Sequence, residues 1–401
     1  GVAITWENIG DPIQKGDSPP EWIREKVGDI VADPKSWAYC NSAGVMETRE
    51  FLVEQVNARG GVQITPGEIN FYNGLGDAVA RVYALLRREA RVLGPSPAYS
   101  THSSAEAAHS GYDHFTYRLD PNNGWMPDMN EVRQKVKYND SIAGIALLSP
   151  DNPTGTVYPP EILEEFAAIA REFDLFVIAD EIYVNLIFNG SKPYHLSQWI
   201  GDTPAISMKG ISKEYPWPGG RCGWIEILNK EKDANFAAYT DSLLAAKRLE
   251  VSSTTIPQLS IPSVMGDERY PVHLLEKQNL YSQRAQEVEK TFAGLDGVVV
   301  NKPGGAFYYT VMFNPGVLNC SQTLEIENDE VRRLIESKVI DVPPDKRFVY
   351  YLMGATGIVV VPLTGFNCDV PGFRGTLLEH DDQKRDWIFS QIRQSIDQYI
   401  H

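Results

Sequence analysis

The sequence predicts an α/β fold in two parts: a large domain on a mostly parallel sheet flanked by helices, and a smaller α+β domain toward the C-terminus. Three observations predict it. Runs that are apolar throughout alternate with helix-like segments in the middle of the chain, as buried parallel strands joined by crossover helices do. After a helical stretch ending near Phe292, the pattern changes to short strands set among helices. A chain of 401 residues also exceeds one small core, since domains of roughly 100–200 residues are usual.

In chain order, residues 1–40 are rich in Gly, Pro and Asp and read as an arm, with one amphipathic stretch at 21–31. A helix is expected over 43–59, stopped by Gly60-Gly61. Residues 68–72 read as a strand, 77–90 as a helix, and another short strand ends at Leu93. Residues 142–148 (IAGIALL) form an apolar run typical of a buried strand. The helix expected at 159–173 opens with two prolines and acidic residues, as helix N-termini often do. Residues 175–179 are another buried strand, ending at Asp180-Glu181, and 205–208 and 224–228 continue the series. A long helix spans 275–292. Residues 298–300, 307–311 and 358–361 are expected in the smaller sheet, with helices at 329–336 and 382–399. The expected domains are 1–40, an arm and part of the small domain; 41–280, the large domain; and 281–401, the small domain.

Hydrophobic content is 43% and charged content 22%, the ordinary globular range. The formal net charge of −16 argues against a nucleic-acid partner, which needs a basic face. It leaves room for an anionic small substrate, because a local Arg or Lys cluster overrides the global field. Cys40, Cys222, Cys320 and Cys368 are far apart and lack metal-ligand spacing, so no metal and no disulfide framework is expected. They read as reduced and mostly buried. No apolar run approaches the roughly 18–20 residues of a membrane helix, and no charged-then-apolar leader pattern opens the chain. A cytoplasmic location is expected.

Ligands of open α/β sheets bind beyond the carboxyl ends of the strands, and the chemistry-bearing segments fall there. Residues 207–224 read SMKGISKEYPWPGGRCGW. Lys213 follows a short strand, and a held, desolvated lysine can attack a carbonyl. Arg221 lies eight residues on and can clamp a phosphate with its planar fork. Alone, this segment also fits a surface lysine in a Pro-Gly loop. In residues 178–184 (IADEIYV), Asp180 ends a buried strand, which is costly unless the carboxylate meets a cation. A protonated pyridine nitrogen is such a cation; a carboxylate capping the following turn is the plain alternative. Residues 149–155 (SPDNPTG) form a sharp turn in which the Asn152 amide can donate to an anionic oxygen. Residues 73–76 (NGLG) precede a helix, and helix-start N–H groups bind phosphate. Val79 stands where a dinucleotide fingerprint needs its third glycine, which disfavours a nicotinamide-dependent dehydrogenase. Tyr99, three residues before His102, offers a flat ring for stacking, or is simply a core tyrosine. Arg374 lies in residues 372–379 (GFRGTLLE), a place that also suits a surface arginine.

In their order and spacing these segments resemble the class I/II aminotransferases, the fold-type I pyridoxal-phosphate enzymes of the aspartate aminotransferase superfamily. Ser212, Lys213, Gly219, Arg221 and Gly223 match the family's Schiff-base signature. The resemblance implies a large domain with a mostly parallel seven-stranded sheet, and pyridoxal 5'-phosphate bound by Lys213. It implies catalytic roles for Lys213, Asp180 and Tyr183. Lys213 would move the α-proton, Asp180 would partner the ring nitrogen with support from His102, and Tyr183 and Asn152 would meet the phenolic oxygen. Tyr99 would stack on the ring. Ser212, Arg221 and the backbone of Leu75 and Gly76 would hold the cofactor, with Tyr39 reaching the phosphate of a neighbouring subunit. Arg374, Asn152 and Gly10, the last within Ile9-Gly10-Asp11-Pro12, would bind substrate. Residues 252–258 (SSTTIPQ) resemble the family's interface loop and imply a homodimer. Two positions depart: Gly210 stands where a hydroxyl often meets the phosphate, and Gly375 follows Arg374. Lys247 and Arg248 lie near where the family sometimes places a cation for a side-chain carboxylate; Phe307, Tyr308 and Trp217 are candidates for an apolar pocket instead. The implied activity moves an amino group between an L-amino acid and a 2-oxo acid. A pyridoxal-phosphate lyase or decarboxylase is the alternative, followed by a non-catalytic effector-binding module.

Overall fold

A computed structural model describes residues 3–188 and 190–401. The chain opens with β1 (Thr5–Trp6), then α1 (Glu21–Ala32) and α2 (Met46–Ala58). Helix α2 starts three residues later than expected, because Gly44 turns at φ +120° and its Cα lies against the Phe71 ring. Next come β2 (Ile69–Asn73), α3 (Leu75–Ala84), β3 (Arg91–Ser96), α4 (Ser100–Ser110), β4 (Thr116–Asp120), β5 (Met126–Pro127) and α5 (Met129–Lys137). Then follow β6 (Ile142–Leu148), α6 (Pro160–Glu172), β7 (Phe176–Asp180), α7 (Leu196–Trp199), β8 (Ala205–Gly210) and β9 (Cys222–Leu228). Helix α3 both starts and stops earlier than the expected 77–90.

These eight strands, β2 to β9, form one sheet in the order β2-β9-β8-β7-β6-β3-β4-β5, one strand more than the seven expected. The two-residue β5 is the shortest of them and pairs antiparallel with β4. The centre is parallel, β4-β3-β6-β7-β8. Strand β9 runs antiparallel to β8, which corrects its place in the parallel series. The cause is local: residues 211–221 form a returning loop without a crossover helix, and only an antiparallel neighbour can be reached that way. Side chains alternate between two cores. Val177 and Ala179 of β7 face one, and Phe176 and Ile178 face the other, with helices on both sides.

The remaining elements are α8 (Ala234–Lys247), α9 (Thr255–Met265), α10 (Arg269–Phe292), β10 (Val298–Val300), β11 (Tyr308–Phe313), α11 (Asp329–Lys338), α12 (Pro344–Thr356), β12 (Ile358–Val359), β13 (Val361–Pro362), β14 (Gly372–Thr376) and α13 (Asp382–Ile400). The second sheet has the order β10-β11-β14-β13. It packs with α12 and α13 around Phe313, Phe348, Leu352, Phe373, Ile388 and Ile392. The single strand expected at 358–361 is split. Residues 358–359 pair in parallel with β1, and only β13 joins the second sheet. The arm therefore supplies an edge strand to the C-terminal region.

All four cysteines are free. Cys222 and Cys368 are buried, Cys40 is half-buried and Cys320 is exposed, so "mostly buried" holds for only part of the set. Among the described residues no helix is long and apolar enough to cross a membrane. Nor is any group of three or more His, Cys, Asp or Glu placed to hold a metal ion.

Candidate active site

Asp180 is the last residue of β7, Asn152 follows β6 by four residues, and Lys213 follows β8 by three. Three adjacent parallel strands thus deliver three polar side chains at their carboxyl ends. Asp180 is buried; its Oδ2 lies 3.0 Å from His102 Nε2 and its Oδ1 accepts from Ile182 N at 3.1 Å. His102 Nδ1 is in turn 3.3 Å from Tyr83 OH. The carboxylate is held on one side by this chain, as a partner for a cation must be. The Tyr99 ring meets His102 edge-on at 6.3 Å.

Lys213 Nζ donates to Gly10 O at 2.6 Å and lies 5.6 Å from the centre of the Phe307 ring. Burial pushes its ammonium down to about 8. Asp11 resists that shift and Arg374 adds to it. The fraction of neutral, nucleophilic amine at physiological pH is therefore far above that of an ordinary lysine.

Arg374 sits within β14 and is buried, so it is not the surface arginine that its segment also suited. Its Nη1 donates to Asn152 Oδ1 at 3.2 Å and its Nη2 to Asn8 O. Its guanidinium carbon is 4.6 Å from the centre of the Tyr308 ring and 5.3 Å from that of Phe366. Nε has no hydrogen-bond partner, and no ion pair to Arg374 is formed among the described residues. A buried cation surrounded by rings and neutral oxygens is costly without an anion. Burial accordingly pushes its pKa down. Tyr183 OH is 2.9 Å from Tyr308 OH, and burial holds the Tyr183 hydroxyl well above its ordinary value. Gly375 has a local reason: a Cβ there would lie 2.4 Å from Tyr309 Cζ.

Leu75 and Gly76 open α3, where N–H groups have no intrahelical acceptor. Gly74, just before them, has φ +86°, and a Cβ on it would lie 2.3 Å from Arg221 Nη2. The Arg221 guanidinium thus rests on the backbone that starts the helix. A Cβ on Gly223 would lie 2.7 Å from Leu75 N, so the second glycine is fixed by the same close approach. Ser212 is half-buried beside Lys213. Gly210 is buried against β9, its added Cβ 3.0 Å from Cys222 O.

Some expected residues are elsewhere. Tyr39 is 84% exposed and shares no hydrogen bond or ring contact with the cluster. Lys247 is buried against Tyr72 and spent on Glu250 at 2.5 Å and Ser253 at 2.9 Å, so it offers no free charge, while Arg248 is exposed. Trp217 folds back on Gly220 in its own turn. Sequence reasoning missed Asn8, Phe366 and Tyr83. Asn8 contributes a backbone carbonyl, which leaves no mark on residue type, and the two aromatics are indistinguishable by sequence from core residues.

A family model described as aminotransferase class I and II matches residues 8–390. The chain belongs to that family. An uncharacterized aminotransferase of Methanocaldococcus jannaschii is 51% identical over 400 residues, covering 100% of this chain and 93% of that one. The glutamate-pyruvate aminotransferase AlaA of Haemophilus influenzae is 27% identical over 397 residues, 98% of this chain and 91% of its own. Among solved structures, an aminotransferase from Escherichia coli has a TM-score of 0.84 at 24% identity, covering 100% of this chain and 92% of that one. The alanine aminotransferase from Pyrococcus furiosus has a TM-score of 0.83 at 24% identity, covering 99% and 93%. At such identities the structural likeness carries the fold, which is that of the fold-type I aminotransferases. The chain is an enzyme, a transaminase, and the lyase and effector-module readings give way to it. Class I and II aminotransferases use pyridoxal phosphate.

Proposed function

We propose that this aminotransferase holds pyridoxal 5'-phosphate on Lys213 and uses it to exchange an amino group between an L-amino acid and a 2-oxo acid. The observation that carries the reading is the pair of unspent cations. Arg374 is buried without an anion, and Lys213, close enough for the Arg374 charge to depress its pKa, is an amine pushed down to about 8. The residues present fit the cofactor. The Arg221 guanidinium packs on Gly74, where a Cβ would collide with it, and so stands at the N–H end of α3, a place that suits a phosphate. Asp180, braced by His102, suits a ring nitrogen that must stay protonated. Asn152 and Tyr183 would meet the phenolic oxygen, Tyr99 would cover the ring, and Ser212 would add a hydroxyl beside the phosphate.

When bound, the cofactor supplies an electron sink for the pair left at the substrate α-carbon. The protein's residues do the rest. Arg374 grips the α-carboxylate by the planar fork that only its Nε and partly spent Nη groups can present. That grip turns the α-C–H bond toward Lys213. Lys213 Nζ takes the α-proton and returns it, acting as base and then acid. Gly10 O, bonded to Lys213 Nζ, keeps the amine beside the N-terminal segment.

The names of the relatives favour glutamate or alanine as donor and pyruvate or 2-oxoglutarate as acceptor. The same proposal takes residues 1–40 as an arm belonging partly to the small domain, 41–280 as the cofactor-binding domain and 281–401 as the small domain. It includes a homodimer with shared sites, in which Tyr39 reaches across, and a cytoplasmic home consistent with free thiols. The test is a panel of amino donors against several 2-oxo acids, read by keto-acid product. Product should form only when an acceptor is present, and Lys213→Ala should lose the bound-cofactor absorbance and nearly all turnover. A fully active Lys213→Ala protein would sink the assignment.

A further inference from the structure

The segment between β1 and α1 crosses the site and is closed on itself by a buried ion pair. Lys15 Nζ lies 2.5 Å from Glu7 Oε1, donates to Trp6 O at 3.1 Å and reaches Glu379 Oε2 at 3.5 Å. Both side chains are buried. The other carboxylate oxygen, Glu7 Oε2, accepts from Thr376 Oγ1 at 3.1 Å. Thr376 is two residues beyond Arg374 on the same strand, β14. The pair therefore ties both ends of residues 8–14 to the strand that carries the substrate-binding guanidinium. Inside the closed loop, Asn8 O accepts from Arg374 Nη2 and Gly10 O accepts from Lys213 Nζ at 2.6 Å. Hydrogen bonds from Lys15, Gly16 and Asp17 N to Pro12 O and Ile13 O fold the far side of the loop into a tight turn.

A buried ion pair is a poor stabiliser, because desolvation offsets most of the Coulomb attraction and well-packed apolar residues often serve stability as well. Burial indeed pushes the Glu7 carboxyl up despite the Lys15 charge. What the pair does supply is a fixed direction. With Glu7 and Lys15 joined, two backbone carbonyls stand over the two cations of the site; without the joint, residues 8–14 keep the bonds from Arg374 and Lys213, the Asp11 side chain's bond from Ile13 N and the backbone turns, but lose the closure that fixes their two ends.

We propose that the Glu7–Lys15 pair is a clasp that positions residues 8–14 over Arg374 and Lys213, and so sets the affinity for the amino-acid substrate. Lys15 and Glu7 are positioning residues, since neither touches the reacting atoms. The proposal rests on Arg374 binding the substrate carboxylate.

The test compares holoenzymes of the parent, Lys15→Met, Lys15→Arg, the double variant Glu7→Gln with Lys15→Met, and Arg374→Lys. Lys15→Met should raise KM for the amino donor about tenfold while kcat stays within about threefold. Lys15→Arg, which keeps the charge, should recover most of the loss. Thermolysin, which cuts before Ile9 and Ile13, should cleave the loop faster in Lys15→Met. The double variant leaves no unpaired buried carboxylate at position 7 and supplies the same readouts if the single variant fails to fold. An unchanged KM in Lys15→Met or the double variant overturns the clasp, as does a fall in kcat and melting temperature with KM unmoved. Arg374→Lys separates the two ideas. If it raises KM and the loss of Lys15 does not, the clasp fails alone; if it leaves KM unmoved, the carboxylate assignment fails and the clasp falls with it.

Discussion

At the scale of single residues, Lys213 makes the sharpest prediction. Its ammonium is pushed down to about 8 by burial, with Asp11 the largest influence in the other direction. Only the neutral amine attacks a carbonyl, and its share rises as pH climbs through the folded-state value. Recapture of pyridoxal phosphate by the stripped enzyme should therefore speed up from pH 7 to 9 with a midpoint near 8. An ordinary lysine would still be rising near its usual value of about 10.4. Asp11→Asn removes an influence that favours the ammonium, so the midpoint should move to lower pH. A midpoint unmoved by Asp11→Asn, or one near that of surface lysines, would contradict this account. Asp180 was legible in the sequence because a polar residue at the end of an apolar strand is costly and demands a reason; Asn152 was legible through its turn, and Lys213 through its spacing to Arg221 and the order of the motifs around it. Asn8 was not, because any residue type supplies a carbonyl. The lack of an acid beside Arg374 was equally invisible, since it depends on what the separate segments of Asn8, Asn152, Tyr308 and Phe366 bring to one place.

At the scale of elements, the loop after β6 carries a hidden charge. Asp151 is fully buried, with Oδ2 bonded to Thr154 N at 3.1 Å and Thr154 Oγ1 at 2.5 Å, while Oδ1 has no partner. Burial raises its carboxyl from 3.8 to about 7. The sign follows from proton counting. Between about 4 and 7 the folded protein holds a proton that the unfolded chain has lost, so stability falls as pH rises through that window. Asp151→Asn removes the titration and should raise the melting temperature by roughly 2–4 °C at pH 8. The gain should vanish near pH 4; an equal gain at both pH values would refute the cause. The elements themselves were legible in proportion to their burial pattern. Strands β6 and β7 are apolar on both faces and stand out. Helix α4 buries only His102, Ser103 and Glu106, so no apolar stripe announces it. Helix α9 contains Pro262, which argues against a helix interior on local grounds and is overruled by packing against α1 and α2. The antiparallel turn of β9 was missed for a different reason: both of its faces are buried, and such a strand looks the same in either direction.

At the scale of the whole molecule, one exposed face lacks a cover. Trp37, Tyr39, Leu249 and Val251 are 72%, 84%, 88% and 56% exposed. Their two segments are stitched together, since Ser42 Oγ donates to Val251 O at 2.7 Å and Thr255 Oγ1 to Ala38 O at 2.9 Å. Val251 also has φ +67°, a strained conformation for a β-branched residue that the surroundings must hold. Grouped exposed aromatics and aliphatics mark an interface, and a two-fold pair of identical subunits is the commonest way to cover one. The expected mass in solution is twice 44.8 kDa, about 90 kDa. Each chain carries a net charge of −16, so two copies repel at long range, and screening that repulsion should favour pairing. Light scattering should then show the pair persisting to lower protein concentration at 300 mM than at 50 mM salt, concentrations at which the Debye length falls well below the span of the molecule. Leu249→Glu places two further charges in the contact and should shift the mass toward 44.8 kDa. Turnover should drop with the pair if, as proposed, Tyr39 serves the phosphate of the partner subunit; a fully active monomer would rule out the shared site.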